Sequence, residues 1–136
     1  MIDKQRLEAK CSTWNITLTG SQLDQLDVFA EILVDYNQKV NLTAITDPEG
    51  IEDKHFLDSL LFASQPEVAG RMVDVGAGAG FPGIVTKIYK PELELTLMEP
   101  TGKRVEFLKY VLCPAGPDRR GVCQGARRGS RPQGVA

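Results

Sequence analysis

The amino-acid sequence predicts an α/β protein in which N-terminal helices precede the first two βα units of an incomplete parallel sheet. Apolar residues in the first 65 positions recur at three- and four-residue intervals, which is the spacing of one helix face. After Pro66 the pattern changes to short apolar strands, each followed by a helical segment. Two successive βα units indicate a parallel, doubly wound sheet, because parallel strands are joined by crossover helices.

Three helices are predicted in the N-terminal helical segment, residues 1–65. The first covers about 2–12, with Leu7 and Cys11 on one face. A capping box at 19–22 begins a helix that should run to about residue 39. A second capping pattern at 46–49 includes Pro48, a residue favoured in the first turn, and predicts a third helix over 48–64.

The α/β segment, residues 66–112, contains the two βα units. An apolar strand at 72–75 runs into a glycine-rich turn at 76–83, and a helix follows at 84–89. Alternating side chains at 93–99 predict a second strand, and 101–111 is a further helix. Parallel sheets are normally buried on both faces, so two strands with their helices should leave the edge of the second strand and one apolar face exposed.

Composition and charge limit the classes of function. The chain has 136 residues, of which 42% are hydrophobic and 25% charged, typical of one soluble domain. A spanning helix needs roughly 18 consecutive apolar residues, and no window approaches this. We therefore expect a cytoplasmic protein with no membrane partner. Residues 1–110 hold 11 Lys and Arg against 17 Asp and Glu, so any RNA contact must be local.

Metal chemistry is not expected. The three cysteines, Cys11, Cys113 and Cys123, are odd in number and have no C-x-x-C spacing, so they are interpreted as reduced thiols. The sequence has a single histidine, His55, whereas a typical metal site needs several ligands. A Ser-His-Asp mechanism needs a complete triad, which the single histidine makes less expected.

The glycine-rich turn is the candidate cofactor site. Gly78 and Gly80 belong to both a dinucleotide fingerprint, G-x-G-x-x-G, and the overlapping G-x-G-x-G run that begins at Gly76. Glycine allows the backbone to turn tightly and lie against a ligand. Glu99 ends the next strand about 20 residues later, where a carboxylate accepts hydrogen bonds from ribose hydroxyls.

Three interpretations of this turn stay open: S-adenosylmethionine binding, dinucleotide binding, or a turn that binds nothing. Asp74, two residues before Gly76, favours S-adenosylmethionine. Its carboxylate suits the cationic methionine end of that cofactor and the backbone of the turn, whereas it would repel a pyrophosphate.

Four segments carry a family resemblance. They are YNQKVNLTAI at 36–45, KHFLDSL at 54–60, VDVGAGAGFPG at 73–83 and LMEPTGKRVEFL at 97–108. Together they resemble the 16S ribosomal RNA guanine-N7 methyltransferases, also called the glucose-inhibited division protein B family. The resemblance covers about residues 10–111 and implies the first part of a Rossmann-like, S-adenosylmethionine-dependent methyltransferase domain.

The resemblance implies methyl transfer from S-adenosyl-L-methionine to N7 of a guanine in 16S ribosomal RNA, by a monomer that meets the RNA or the small ribosomal subunit. It implies that Gly76 and Phe81 touch the cofactor. It further implies that Gly78 and Gly80 make room for the cofactor and that Glu99 holds its ribose.

Guanine N7 has a free lone pair and no proton, so its attack on a sulfonium methyl group needs alignment rather than a general base. The catalytic residue is therefore unknown, and His55 is the candidate. In one hypothesis Asn41, Thr43 and His55 lie at the pocket mouth toward the guanine, with Asp58 steadying His55. In the other, Asp58 and Ser59 brace the junction of helix and sheet, and His55 is a hydrogen-bonded junction residue.

Residues 113–136 depart from the family pattern. They contain 5 Gly, 5 Arg and 3 Pro among 24 residues, and no Leu, Ile or Phe. This composition predicts a disordered tail with no strands. It fits either a basic RNA-binding arm or a stretch read out of frame after about Val111. We expect the truncated chain to be weakly active or inactive, the alternative being a noncatalytic α/β fragment with residual cofactor or RNA binding.

Overall fold

The computed structural model describes residues 1–100 and 102–112, together with the backbone of 126–129. Helices and strands follow the predicted order. The helices are α1 (Lys4–Ser12), α2 (Gly20–Asn37), α3 (Pro48–Gly50), a π-helical segment (Ile51–Leu57), α4 (Asp58–Ala63), α5 (Gly83–Tyr89) and α6 (Gly102–Leu112). The strands are β1 (Arg71–Val75), β2 (Glu94–Met98) and β3 (Ala126–Gly129).

Side-chain caps begin the N-terminal helices. The predicted capping box of α2 is confirmed, since the Thr19 side chain accepts from Gln22 N–H and the Gln22 side chain accepts from Thr19 N–H. At α3 the cap is Asp47, which accepts from Gly50 N–H, rather than Thr46. Asp47 directly precedes Pro48, so it occupies the N-cap position and Pro48 the first helical position.

The third helix is continuous from Pro48 to Ala63 but is not uniformly α-helical. The sequence predicted an ordinary helix, and the structure has a π-helical segment at Ile51–Leu57. Ile51 and Phe56, five residues apart, are both fully buried. The wider π turn places residues with this spacing on the same side, which is why a 3.6-residue pattern did not reveal it.

The sheet is parallel, in the order β1-β2-β3. β1 pairs with β2 from Arg71 opposite Glu94 to Val75 opposite Met98, as the two βα units predict. β3 pairs with the other edge of β2. No strand was predicted in the tail, and for 126–129 that prediction is wrong, because backbone pairing does not require apolar side chains. The predicted disorder of 113–125 and 130–136 lies outside the described residues.

One core joins the helical segment to the sheet. Phe29 of α2 is at its centre, with ring centroids 5.8 Å from Phe56 and 6.4 Å from Phe107 of α6. All three rings are almost completely buried. Each such side chain contributes roughly 1.5–3 kcal/mol through burial, so these aromatic contacts hold the N-terminal helices on the α/β segment.

One face of β1, the face that carries Val73 and Val75, is not covered by the described residues. Val73 and Val75 are 55% and 58% exposed, which confirms the predicted apolar surface. Parallel sheets are ordinarily covered on both faces.

Within the described ranges, no helix combines the length and the apolar character that crossing a membrane requires.

Candidate functional site

The site lies at the carboxyl ends of β1 and β2, where the glycine turn leads from β1 into α5. Gly76, Gly78 and Gly80 have φ angles of 70°, 53° and 94°. L-residues with a Cβ rarely adopt this left-handed region, so the predicted tight turn depends on glycine.

The glycines of the turn serve two different purposes. A Cβ on Gly76 would have no described atom within 4 Å, and one on Gly78 would meet Gly76 O at 3.8 Å. A Cβ on Gly80 would lie 2.6 Å from Ile84 Cδ1 and 3.3 Å from Phe29 Cζ. Gly76 and Gly78 therefore border open space, whereas Gly80 makes room for protein side chains and not only, as the resemblance implied, for a cofactor.

Glu99 ties the turn to the end of β2. Its Oε1 accepts a hydrogen bond of 2.7 Å from Gly78 N–H, and the side chain is 3% exposed. The Gly76 and Ala77 N–H groups donate to Met98 O at 2.7 Å and 3.1 Å. The position of Glu99 beside the turn agrees with the sequence prediction, and its contact with ribose stays a prediction.

Asp74 lies beneath the start of α5. Its Oδ2 accepts from Gly83 N–H, at the end of the turn, at 3.1 Å, and its contact with the methionine end of a cofactor stays a prediction. Burial raises the pKa of Asp74, the Gly83 bond opposes this, and the nearby charge of Glu99 raises the pKa further. Two buried carboxylates thus stand at adjacent strand ends, and a cationic ligand would relieve their repulsion.

Phe81 connects the turn to the helical segment. Its ring stacks on His55 with centroids 4.3 Å apart and an interplanar angle of 9°. It also packs 5.3 Å from the Phe29 ring. The Phe81–Pro82 peptide is cis. Phe81 therefore lies in the glycine turn and is held there by two aromatic neighbours, His55 and Phe29.

His55 belongs to the π-helical segment and is half-buried. Its Nε2 forms a hydrogen bond of 2.8 Å with Thr43 Oγ1. Burial lowers the pKa of His55, and the charge of Asp58 opposes this. Asp58 is exposed and acts on His55 through its charge, so the contact that orients the ring comes from Thr43 rather than from Asp58. Ser59 is buried within α4.

The loop before α3 forms a groove of about 320 Å³, lined by Asn41, Leu42, Thr43 and Ala44. Arg104 of α6 is half-buried and donates from Nη2 to Asn41 O at 3.2 Å. The start of α6 is therefore packed against this groove. Asn41 and Thr43 both line this groove, and Thr43 is bonded to His55, but their position toward a guanine stays a prediction.

The sequence analysis missed Asn37. Its Oδ1 accepts from Leu42 N–H at 2.8 Å and from Thr43 N–H at 3.0 Å. In the sequence Asn37 stood out only as a member of the segment 36–45, without a role of its own. The useful signal was an asparagine in the last turn of a helix, because its short amide often bonds to nearby backbone groups.

Most of the chain matches a known family. The profile of the GidB family, described as rRNA small subunit methyltransferase G, matches residues 22–124. The chain belongs to this family. The resemblance seen in the sequence covers about residues 10–111, so the matched region extends beyond it at the carboxyl end.

Curated relatives of the GidB-family chain bear the name ribosomal RNA small subunit methyltransferase G. That of Moorella thermoacetica is 46% identical over 119 residues, which cover 85% of this chain and 50% of the relative. That of Alkaliphilus metalliredigens is 46% identical, covering 82% and 47%. That of Mycoplasma mycoides is 46% identical, covering 72% of both chains. The GidB-family chain spans about half the length of the first two.

The part of the GidB-family chain that the structure describes contains no group of three or more His, Cys, Asp or Glu side chains arranged for a metal ion. Cys11 is a buried free cysteine whose pKa is raised to about 11, mainly by burial. Cys113 and Cys123 lie outside the described residues.

Proposed function

We propose that this chain forms the S-adenosylmethionine-binding part of an enzyme that methylates N7 of a guanine in 16S ribosomal RNA. One observation carries the proposal: the open side of the glycine turn, at Gly76 and Gly78, adjoins the buried carboxylates Asp74 and Glu99. Family membership supports ribosomal RNA methylation as the general activity.

The charges of the site favour S-adenosylmethionine over a dinucleotide. The buried carboxylate Asp74 has a raised pKa, so its ionised form is under-stabilised and would gain from a positive ligand. The sulfonium and ammonium groups of S-adenosylmethionine supply that charge, whereas a pyrophosphate would add to the repulsion. We assign the ribose hydroxyls to Glu99, and the cofactor contacts to Gly76, Gly78 and Phe81.

S-adenosylmethionine supplies an electrophilic methyl group when it is bound. The residues of the chain then have to align the guanine, since N7 presents a lone pair and no proton has to be removed. A lowered pKa keeps His55 neutral near pH 7, so the ring adds no positive charge beside the cationic cofactor. The Thr43 hydroxyl bonds to His55, and exposed Asn41 is our candidate for the guanine contact.

The groove also suggests how an acidic chain meets RNA. Arg104 bonds to the Asn41 carbonyl, and the Lys39 ammonium lies 5.7 Å from the Tyr36 ring centroid. These two cations flank the segment that lines the groove. We propose that they contact RNA phosphates there, so that binding is local, as the overall charge requires. The small ribosomal subunit, and with it the cytoplasm, follows as the proposed setting.

Calorimetric titration of the 136-residue chain with S-adenosylmethionine tests the cofactor assignment. The wild-type chain should bind saturably, and NAD should not compete. Glu99→Gln should weaken binding roughly ten-fold, because hydrogen bonds to charged groups contribute about 1.5–3 kcal/mol. Glutamine keeps an acceptor for Gly78 N–H.

Glu94→Gln is the matched control, because Glu94 is an exposed residue of β2 that pairs with Arg71. Its affinity should equal that of the wild type. Failure of the folded wild-type chain to bind, or equal losses in both variants, would refute the assignment. Circular dichroism verifies folding in each case.

A second candidate function is a noncatalytic α/β fragment that retains cofactor or RNA binding. The uncovered valines of β1 favour it. Transfer of a labelled methyl group to 16S RNA distinguishes the two, and we expect little or no transfer by this chain alone. The basic arm and the out-of-frame tail remain alternative proposals for 113–136.

A further inference from the structure

A continuous path of contacts joins the end of α2 to the glycine turn. Asn37 Oδ1 accepts two backbone N–H groups, at 2.8 Å and 3.0 Å, and thereby sets the loop that carries Thr43. Thr43 Oγ1 bonds to His55 Nε2 at 2.8 Å. The His55 ring then stacks on Phe81 of the turn. Four residues from the end of α2, the following loop, the π-helical segment and the glycine turn thus form one connected arrangement.

Thr43 has a fixed orientation in this path. Its Oγ1 accepts from Ile45 N–H at 3.0 Å while it bonds to His55. A hydroxyl held by two partners restricts the rotation of the side chain, and it therefore restricts the tilt of the imidazole that it contacts. The His55 and Phe81 rings are nearly parallel, with an interplanar angle of 9°. The bond from Thr43 favours this arrangement because it limits the tilt of the imidazole.

Phe81 has support from the core as well. Its ring packs 5.3 Å from Phe29 and 6.1 Å from Phe56. Phe81 thus contacts two rings of the core in addition to its stack on His55. Loosening His55 should shift Phe81 and the adjoining turn without unfolding the core, so the effect on ligand binding should be moderate.

We propose that Asn37 and Thr43 are positioning residues, which hold the His55 ring against Phe81 and thereby keep the glycine turn in its cofactor-binding form. This inference rests on the proposed cofactor site. It assigns to Thr43 and Asn37 an action through His55, distinct from contact with the guanine.

The sequence contains a single histidine, so the imidazole signals in NMR belong to His55 without further assignment. Thr43→Val removes the hydroxyl at nearly constant shape, and Thr43→Ser retains it. Asn37→Leu and Asn37→Asp form the corresponding pair for the carbonyl acceptor. Thr17→Val, at an exposed position before α2, is the control for a threonine-to-valine change.

In the wild-type chain the His55 signals should titrate below pH 6.5, its ordinary value, and should shift when S-adenosylmethionine is added. Thr43→Val and Asn37→Leu should move the titration toward 6.5, as the loosened ring gains solvent. They should also weaken cofactor binding roughly five-fold, the usual effect of one lost hydrogen bond. Thr43→Ser, Asn37→Asp and Thr17→Val should stay near the wild type.

Unchanged His55 signals and unchanged affinity in Thr43→Val would overturn the inference, as would equal losses in Thr43→Val and Thr43→Ser. A wild-type chain that is folded but binds no cofactor would instead refute the proposed function. The positioning role is then judged by amide hydrogen exchange across residues 76–81. Faster exchange in Thr43→Val than in Thr17→Val supports it, and equal exchange refutes it.

Discussion

Glu52 and Asp74 are both buried carboxylates, but Glu52 is paired with a cation and Asp74 lies near a second carboxylate. Glu52 is fully buried and receives a two-pronged contact from Arg6, with Nε–Oε1 at 2.7 Å and Nη2–Oε2 at 2.8 Å. It also accepts from Asp3 N–H at 2.8 Å. Asp74 also accepts from a backbone N–H, that of Gly83, but the nearby charge is another carboxylate, Glu99, rather than an arginine.

The difference separates Glu52, which stabilises the fold, from Asp74, which we propose as a ligand-binding group. The charge of Glu52 is balanced inside the protein, where it fastens α1 to the π-helical segment. The raised pKa of Asp74 means that its ionisation costs the folded chain free energy. That contribution opposes stability as pH rises through the raised pKa, and a cationic ligand would offset it.

The largest effect is expected at Glu52. Glu52→Ala should lower the free energy of unfolding by about 3 kcal/mol, because it leaves Arg6 and the Asp3 N–H without their buried acceptor. Urea denaturation followed by circular dichroism measures this. The exposed residue Asp24, which pairs with Lys4, is the control, and Asp24→Ala should change stability little. Similar losses of unfolding free energy in both variants would show that Glu52 stabilises the fold no more than an exposed carboxylate does.

Gly80 and Gly76 should separate stability from binding within one turn. Gly80→Ala should cost about 2–3 kcal/mol, because the new Cβ meets Ile84 and Phe29 at a positive φ. Gly76→Ala should cost about 1 kcal/mol of backbone strain alone, yet it should weaken S-adenosylmethionine binding more than ten-fold by occupying the open side. Denaturation and calorimetry on both variants test this, and equal destabilisation would contradict it.

Asp74→Asn should have the smallest effect on stability. The amide oxygen keeps an acceptor for Gly83 N–H and removes a buried charge, so the free energy of unfolding at pH 7 should change by less than about 1 kcal/mol. Cofactor binding should nevertheless weaken roughly ten-fold through loss of the charge. A variant that unfolds like Glu52→Ala, or that binds like the wild type, would place Asp74 in the same class as Glu52.

The fold was largely predictable because its elements begin and end with local features. Thr19 and Gln22 form the capping box three residues apart, and the glycine turn follows β1 directly. The position of Glu99 followed from the length of one βα unit. The uncovered β1 face followed from the small number of βα units, because the crossover helices of such units cover the faces of a parallel sheet.

The candidate site was predicted less completely, because its geometry depends on distant parts of the chain. The His55–Phe81 stack spans 26 positions, and the Arg104 contact with Asn41 spans 63. Neighbouring residues impose no such pairing. Likewise, part of the crowding at Gly80 comes from Phe29 of α2, whose Cζ would lie 3.3 Å from a Cβ there, and no spacing within the turn reveals this contact.

The sequence by itself determined the helices, the two βα units, the glycine turn and the acidic residues beside it, since each depends on hydrogen bonds and periodicity within a few residues. Only the tertiary structure decided which glycines border open space and which face the core. It also decided the π-helical turn and the orientation of His55. The physical reason is close packing, since atoms brought together from α2, the π-helical segment and the turn limit the conformations that each can adopt.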